Sequence, residues 1–169
     1  VVNIAGEVVA LNAGANSSAA SSFFLPLDRI DRVLKLLQAG LPVSRGTLQT
    51  EFVRRPYDEL KRLGVSATTE AMVRSMHADQ TGMLTVRKVI PESPADGKLE
   101  PGDILVLVND VLITEFIPLA SIIDDRVGET VSVEVERGGR TIHVELEITN
   151  LHTVSPDQFL EFGDAIVNN

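Results

Sequence analysis

The sequence predicts a β-rich α+β fold, and three observations carry that prediction. First, Val131, Val133 and Val135 alternate with Ser132, Glu134 and Glu136, and Ile142, Val144, Leu146 and Ile148 alternate with His143, Glu145 and Glu147. Gly138-Gly139 stands between them, so two strands of period two flank a two-residue turn, each with one buried and one solvated face. Second, Met83 to Ile90 and Ile104 to Val108 are short apolar runs bounded by turn residues, as buried strands are. Third, segments of helical period interrupt the strands rather than alternating regularly with them.

Residues 1–12 read as a hairpin: Val1, Val2 and Ile4 lead to a turn at Ala5-Gly6, and Val8, Val9, Ala10 and Leu11 return. Ala13 to Ser22 is small, polar and aperiodic, a surface loop between strands or a linker, before apolar character resumes at Phe23-Phe24-Leu25-Pro26-Leu27. From Asp28 the spacing of Ile30, Val33, Leu34 and Leu37 is helical, and Gly40 then Pro42 stop it. A domain boundary is expected at Gly40 to Ser44. Arg45 to Val53 reads as a loop running into a strand, and Pro56 to Leu63 as a short helix closed by Gly64. Thr68 to His77 reads as a second helix, with Met72, Val73 and Met76 filling core and Glu70 paired to Arg74 at i,i+4.

Beyond the strand at Met83, Pro91 to Ala95 bends the chain and Pro101-Gly102-Asp103 turns it into Ile104 to Val108. Asn109-Asp110 suits a tight reversal into Val111-Leu112-Ile113, because both tolerate left-handed backbone angles. A helix beginning near Pro118 puts Leu119, Ile122 and Ile123 on one side. Ser155-Pro156-Asp157-Gln158 carries the features of a capping box before Phe159, Leu160 and Phe162, in a tail that reads as a short connection.

At 169 residues and 44% hydrophobic composition the chain buries a real core, enough for one domain with a substantial flanking piece or two small domains. The net charge of −9 opposes a phosphate backbone, so nucleic acid is excluded as a partner. With no cysteine, disulfides, thiolate metal sites and a cysteine nucleophile fall together. The apolar runs are too short to span a membrane, which takes about 20 residues. His77, His143 and His152 are isolated from one another, which argues against a metal site and against an acyl-transfer base. Asp124-Asp125 reads as a solvated helix end rather than acid–base machinery. Scattered glycines make no phosphate-cradling loop, and no cofactor is expected. The start at Val1-Val2-Asn3, in mid-strand character, reads as a cut inside a longer protein.

Two stretches are specific enough to compare with a family. Arg45-Gly46-x-Leu48 is followed, after a helix, by Thr81-Gly82-Met83-Leu84-x-Val86-x-x-Val89-x-Pro91-x-Ser93-Pro94-Ala95 and by Leu99-x-Pro101-Gly102-Asp103-x-Leu105-x-x-Val108-Asn109. This order resembles the PDZ domains of HtrA/Deg-type serine proteases, with Asp110 in place of the glycine that usually follows the asparagine. Val1-Val2-Asn3-x-x-Gly6-x-Val8-Val9-Ala10-Leu11-Asn12 is similar to the strands that follow the nucleophile loop of those proteases. Phe23 to Leu27 and the next helix resemble the closing strand and terminal helix of the protease domain. The wording of Leu11 to Gly14, Phe23 to Arg29, Arg45 to Gln49 and Leu151 to Pro156 is closest to the fungal nuclear pro-apoptotic (Nma-type) branch of the family and its plant chloroplast Deg relatives.

The resemblance implies the C-terminal strands and helix of a trypsin-like β-barrel in residues 1–40, a PDZ domain in residues 41–150, and a connection toward a further domain in 151–169. It implies a carboxylate-receiving loop at Gly46, Thr47, Leu48 and Gln49, although Gln49 stands where the family commonly has glycine. Thr50, Glu51 and Phe52 would continue into the strand that pairs with a peptide ligand. Leu119, Ile122 and Ile123 would line the apolar pocket or, equally, pack as ordinary helix-to-sheet core, and Leu48 is ambiguous in the same way. Leu11, Asn12, Ala13 and Gly14 would form part of the wall of a protease cleft.

By the same resemblance the parent is an ATP-independent serine endopeptidase of protein quality control or apoptosis-related proteolysis. It would be homo-oligomeric and nuclear, with peptides or protein substrates as partners. The catalytic His, Asp and Ser would lie outside these residues, leaving the segment inactive by itself. A structural PDZ domain with a blocked groove, serving assembly, is the alternative, and a stand-alone adaptor conflicts with the N-terminal match.

Overall fold

The small residues of 13–22 do not remain a loop. In the computed structural model, which describes residues 1–156, 159–162 and 165–168, the chain divides into Val1–Val43 and Ser44–Asn169. In the first unit Val2 and Val8 meet in a single bridge, as the expected hairpin requires. The longer pairing lies further on, between β1 (Ala10–Asn16) and β2 (Ser21–Pro26), with an irregular register between Asn12 and Gly14. Only the turn between them is loop. There the Asn16 side chain accepts hydrogen bonds from the Ser18 and Ala19 amides, closing the reversal by side-chain chemistry that composition alone does not reveal.

Helix α1 (Leu27–Gln38) follows directly, and Gly40 (φ +68°) ends it as expected, with Leu41 N–H donating to the Leu36 carbonyl. Leu11, Phe23, Phe24, Leu25, Leu34 and Leu37 all remain exposed.

The second unit opens with β3 (Gly46–Thr47) and β4 (Thr50–Pro56), continues through α2 (Tyr57–Leu63) and α3 (Ala67–Met76), then β5 (Gly82–Val89), β6 (Ile104–Val108) and β7 (Val111–Leu112). Helix α4 (Phe116–Asp124) precedes β8 (Thr130–Arg137), β9 (Arg140–Glu147), β10 (Thr149–Asn150) and α5 (Leu151–Val154). The main sheet runs β4-β5-β6-β8-β9, antiparallel throughout, with β7 beside β6, and β3 pairs separately with β10.

Both faces of this sheet are covered. One buries Leu84, Val86, Leu105, Val131, Val133 and Val135 together with Leu48 and Leu119 of α4. The other packs Met83, Ile104 and Val106 against Tyr57, Leu60 and Val73 of α2 and α3. Burial on two faces is why β6 is apolar throughout, and a bulge between Leu105 and Leu107 lets Leu105 and Val108 share a side. The two tight turns form as read, with positive φ at Asn109 and Asp110 and at Gly138 and Gly139.

Several expectations are corrected by the packing. Helix α4 starts at Phe116, because proline is at home anywhere in a first turn that has no amide partner. Met76 is 62% exposed, whereas Met72 packs against the second cluster. Glu136, on the face of β8 expected to be solvated, is buried. Its carboxylate accepts the Ser66 amide (3.0 Å) and the Thr69 hydroxyl (2.8 Å), while the Ser66 hydroxyl caps Thr69 N–H, so β8 anchors the start of α3. Glu136→Ala leaves two of these donors unpaired and is expected to cost about 1–3 kcal/mol in urea unfolding.

Asp157 and Gln158 of the capping box lie outside the described residues. Phe159–Phe162 forms a strand, β11, paired with β12 (Ala165–Asn168).

Candidate functional site

The segment between β3 and β4 is shaped by its own hydroxyls. Thr47 Oγ1 accepts the Gln49 amide at 2.9 Å, and Thr50 Oγ1 donates to the Leu48 carbonyl at 3.1 Å. Gln49 takes a left-handed backbone (φ +50°), its carbonyl accepts Ile90 N–H, and its side-chain amide donates to Thr149 Oγ1 at 3.0 Å. This replaces the conformational freedom of the expected glycine by side-chain and backbone bonds.

Gly46 is required for a different reason. A Cβ there would lie 2.1 Å from the Ile123 carbonyl oxygen and 2.4 Å from its carbon, so β3 passes against the last turn of α4. The Gly46 amide donates to Asp124 Oδ1 at 2.9 Å.

Asp124 therefore is not part of a solvated helix end. It is 3% exposed, and Asp125 alone of the pair is exposed. One signal in the sequence pointed that way: a carboxylate in the last turn of a helix opposes the helix dipole, so a specific partner must offset it.

The remaining candidates sort by burial. Leu48 and Leu119 belong to the core, at 2% and 4% exposure, whereas Phe52, Ile122 and Ile123 are half-buried against the same cluster and keep accessible surface. Glu51 is exposed and pairs with Arg87 at 3.0 Å. Among the described residues, strand β4 ends the sheet with β5 as its one neighbour.

The opposite edge, β9, is treated differently. Lys98 Nζ donates to the Glu145 carbonyl at 2.8 Å, which blunts that edge against further pairing. A cleft of about 540 Å³ lies beside it, lined by residues including Glu92, Ser93 and Glu147, and a smaller one of about 260 Å³ lies between Arg55 and Arg62. Neither is lined by Gly46 to Phe52 or by α4.

Leu11, Asn12, Ala13 and Gly14 sit in β1, where Asn12 Oδ1 accepts Gly14 N–H. His77 closes α3, His143 lies 3.6 Å from the Glu134 carboxylate across β8–β9, and His152 is in α5, so the three are on separate elements. No helix among the described residues is long and apolar enough to cross a membrane.

With this geometry in place, similarity to known proteins identifies a family. The pattern of the family described as PDZ domain matches residues 62–148. The chain is 45% identical over 170 residues to the pro-apoptotic serine protease nma111 of Aspergillus niger and 44% identical over 181 residues to Protease Do-like 7 of Arabidopsis thaliana. These alignments cover 100% and 99% of this chain, yet the chain spans only 16% of each relative. Among solved structures, the HtrA-type protease AlgW with decapeptide superposes with a TM-score of 0.59 at 20% identity, over 86% of this chain and 43% of that one. AlgW with tripeptide gives 0.54 at 22% identity, over 88% and 47%. At those identities the likeness is one of fold.

Proposed function

The chain belongs to the PDZ domain family, and from that premise we propose that it binds extended polypeptide by strand addition along the outer edge of β4. Gly46, Thr47, Leu48 and Gln49 close one end of the groove, Thr50, Glu51 and Phe52 supply the pairing backbone, and Phe52, Ile122 and Ile123 are its apolar lining. The observation that carries this reading is the asymmetry of the sheet: β4 has one neighbour, while β9 has a lysine on its outer carbonyl. Backbone hydrogen bonds then supply affinity, and the half-buried side chains supply selectivity.

The relatives extend the reading to a parent protein. Residues 1–40, including the cleft-wall segment Leu11 to Gly14, are the end of a trypsin-like protease domain, 41–150 the PDZ domain, and 151–169 the connection toward a further domain. The parent is a homo-oligomeric, ATP-independent HtrA-like serine endopeptidase of the nucleus, acting in protein quality control or apoptosis-related proteolysis. Identity over the whole chain to proteins named pro-apoptotic serine proteases supports it. A groove blocked by its own chain, serving assembly alone, is the second reading, favoured by the Gln49 side chain tied to Thr149.

A backbone N-methyl scan separates the two. Apolar peptides carrying a single N-methyl group at successive positions are titrated against the 169-residue chain. Strand addition predicts losses of about tenfold or more at every second position and little effect between them, because alternate amides of an added strand face the edge. Uniform losses, or no binding by any peptide, would sink it and favour the assembly role.

A further inference from the structure

We infer that the groove takes an internal, extended segment of a polypeptide chain rather than a free C-terminus, an inference that rests on the strand-addition reading. A terminal carboxylate needs uncommitted backbone amides at the end of the groove. At Gly46 to Gln49 at least two of the four are committed inside the protein. The first, on Gly46, donates to Asp124 Oδ1 at 2.9 Å, and the last, on Gln49, donates to Thr47 Oγ1 at 2.9 Å.

The committed partner at the first position is itself a carboxylate. Asp124 is buried at 3% exposure, so its carboxyl oxygen already takes up the amide at the end of the groove. The Gln49 side chain is also fixed in place, donating to Thr149 Oγ1, which in turn donates to the Thr47 carbonyl at 3.2 Å.

An internal segment has no such requirement. Its peptide groups pair along β4 with neutral donors and acceptors, and its flanks continue past both ends of the strand. The class of ligand is therefore a strand-forming apolar stretch within a polypeptide.

The test uses one apolar sequence in three forms: with a free C-terminal carboxylate, with a C-terminal amide, and embedded between flexible polar flanks. Each is titrated against the 169-residue chain and against its Thr47→Val variant. That variant keeps the side-chain shape and releases the Gln49 amide. For the natural chain the three forms should agree within about twofold. For Thr47→Val the free-carboxylate form should bind about fivefold or more tighter than the amide.

A tenfold loss on amidation, or failure of the embedded form to bind, overturns the inference and leaves strand addition standing. Equal binding of acid and amide by Thr47→Val overturns it too, because the committed amide would then not be the cause. Absence of binding by all three forms overturns both.

Discussion

Replacing Arg137 by alanine is expected to lower the stability of the PDZ unit by about 3 kcal/mol, the largest effect foreseen for any charged side chain of this protein. Arg137 grips Asp103 with two hydrogen bonds, Nε to Oδ1 at 2.7 Å and Nη2 to Oδ2 at 2.8 Å, and also reaches the Glu100 carboxylate and the Lys98 carbonyl. The Asp103 side chain is fully buried, so truncating its partner strands a charge that water cannot reach. Donation to the Asp103 carboxylate holds the guanidinium pKa above its ordinary value, as a charge stabilised in place requires.

Arg137 itself is 30% exposed, which argues for the lower end of the 3–5 kcal/mol that such losses cost. Arg137→Lys keeps the charge but not the fork and should fall between. The exposed pair Arg87–Glu51 offers a contrast: its removal should change stability by under about 1 kcal/mol. Tyr57 is the single tyrosine of a chain without tryptophan and is buried in this unit, so its fluorescence during urea unfolding reports these differences directly.

Gly46→Ala should be comparably destabilising, by about 3 kcal/mol, and should also weaken peptide binding by about tenfold or more. The added Cβ would meet the Ile123 carbonyl at 2.1 Å, a backbone group that moves only if the end of α4 moves with it. The cause is steric, since Gly46 is not among the residues with positive φ. Gly97→Ala is the opposite case: φ is +72° there, but nothing lies within 4 Å, so only the roughly 1–2 kcal/mol conformational cost applies. A Gly46→Ala protein that keeps both its unfolding midpoint and its peptide affinity would show that β3 and α4 do not brace the groove.

What the sequence made readable was what depends on one element at a time. The β8–β9 hairpin announced itself by period two around Gly138-Gly139, the Asn109-Asp110 reversal by two residues that accept positive φ, and α1 by its spacing and stop. What stayed hidden depends on a third party. Glu136 looks solvated until α3 is laid over it, and Asp124 looks like a helix end in water until Gly46 arrives from 78 residues away. The pairing of β1 with β2 rests on backbone bonds between small residues whose composition says loop. The candidate site was legible as a stretch of chain through its motif, but which of its amides are already spent was not, because no alphabet of residue types encodes that.

The unequal treatment of the two sheet edges bears on how this protein behaves in a crowd of its own copies. A cross-β fibre grows because every added molecule presents a fresh edge to the next. Here the Lys98 ammonium sits on the Glu145 carbonyl, so a molecule docked through β4 offers a plugged rim behind it. If β4 accepts strands as proposed, that rim is expected to limit growth to one addition rather than template a fibre.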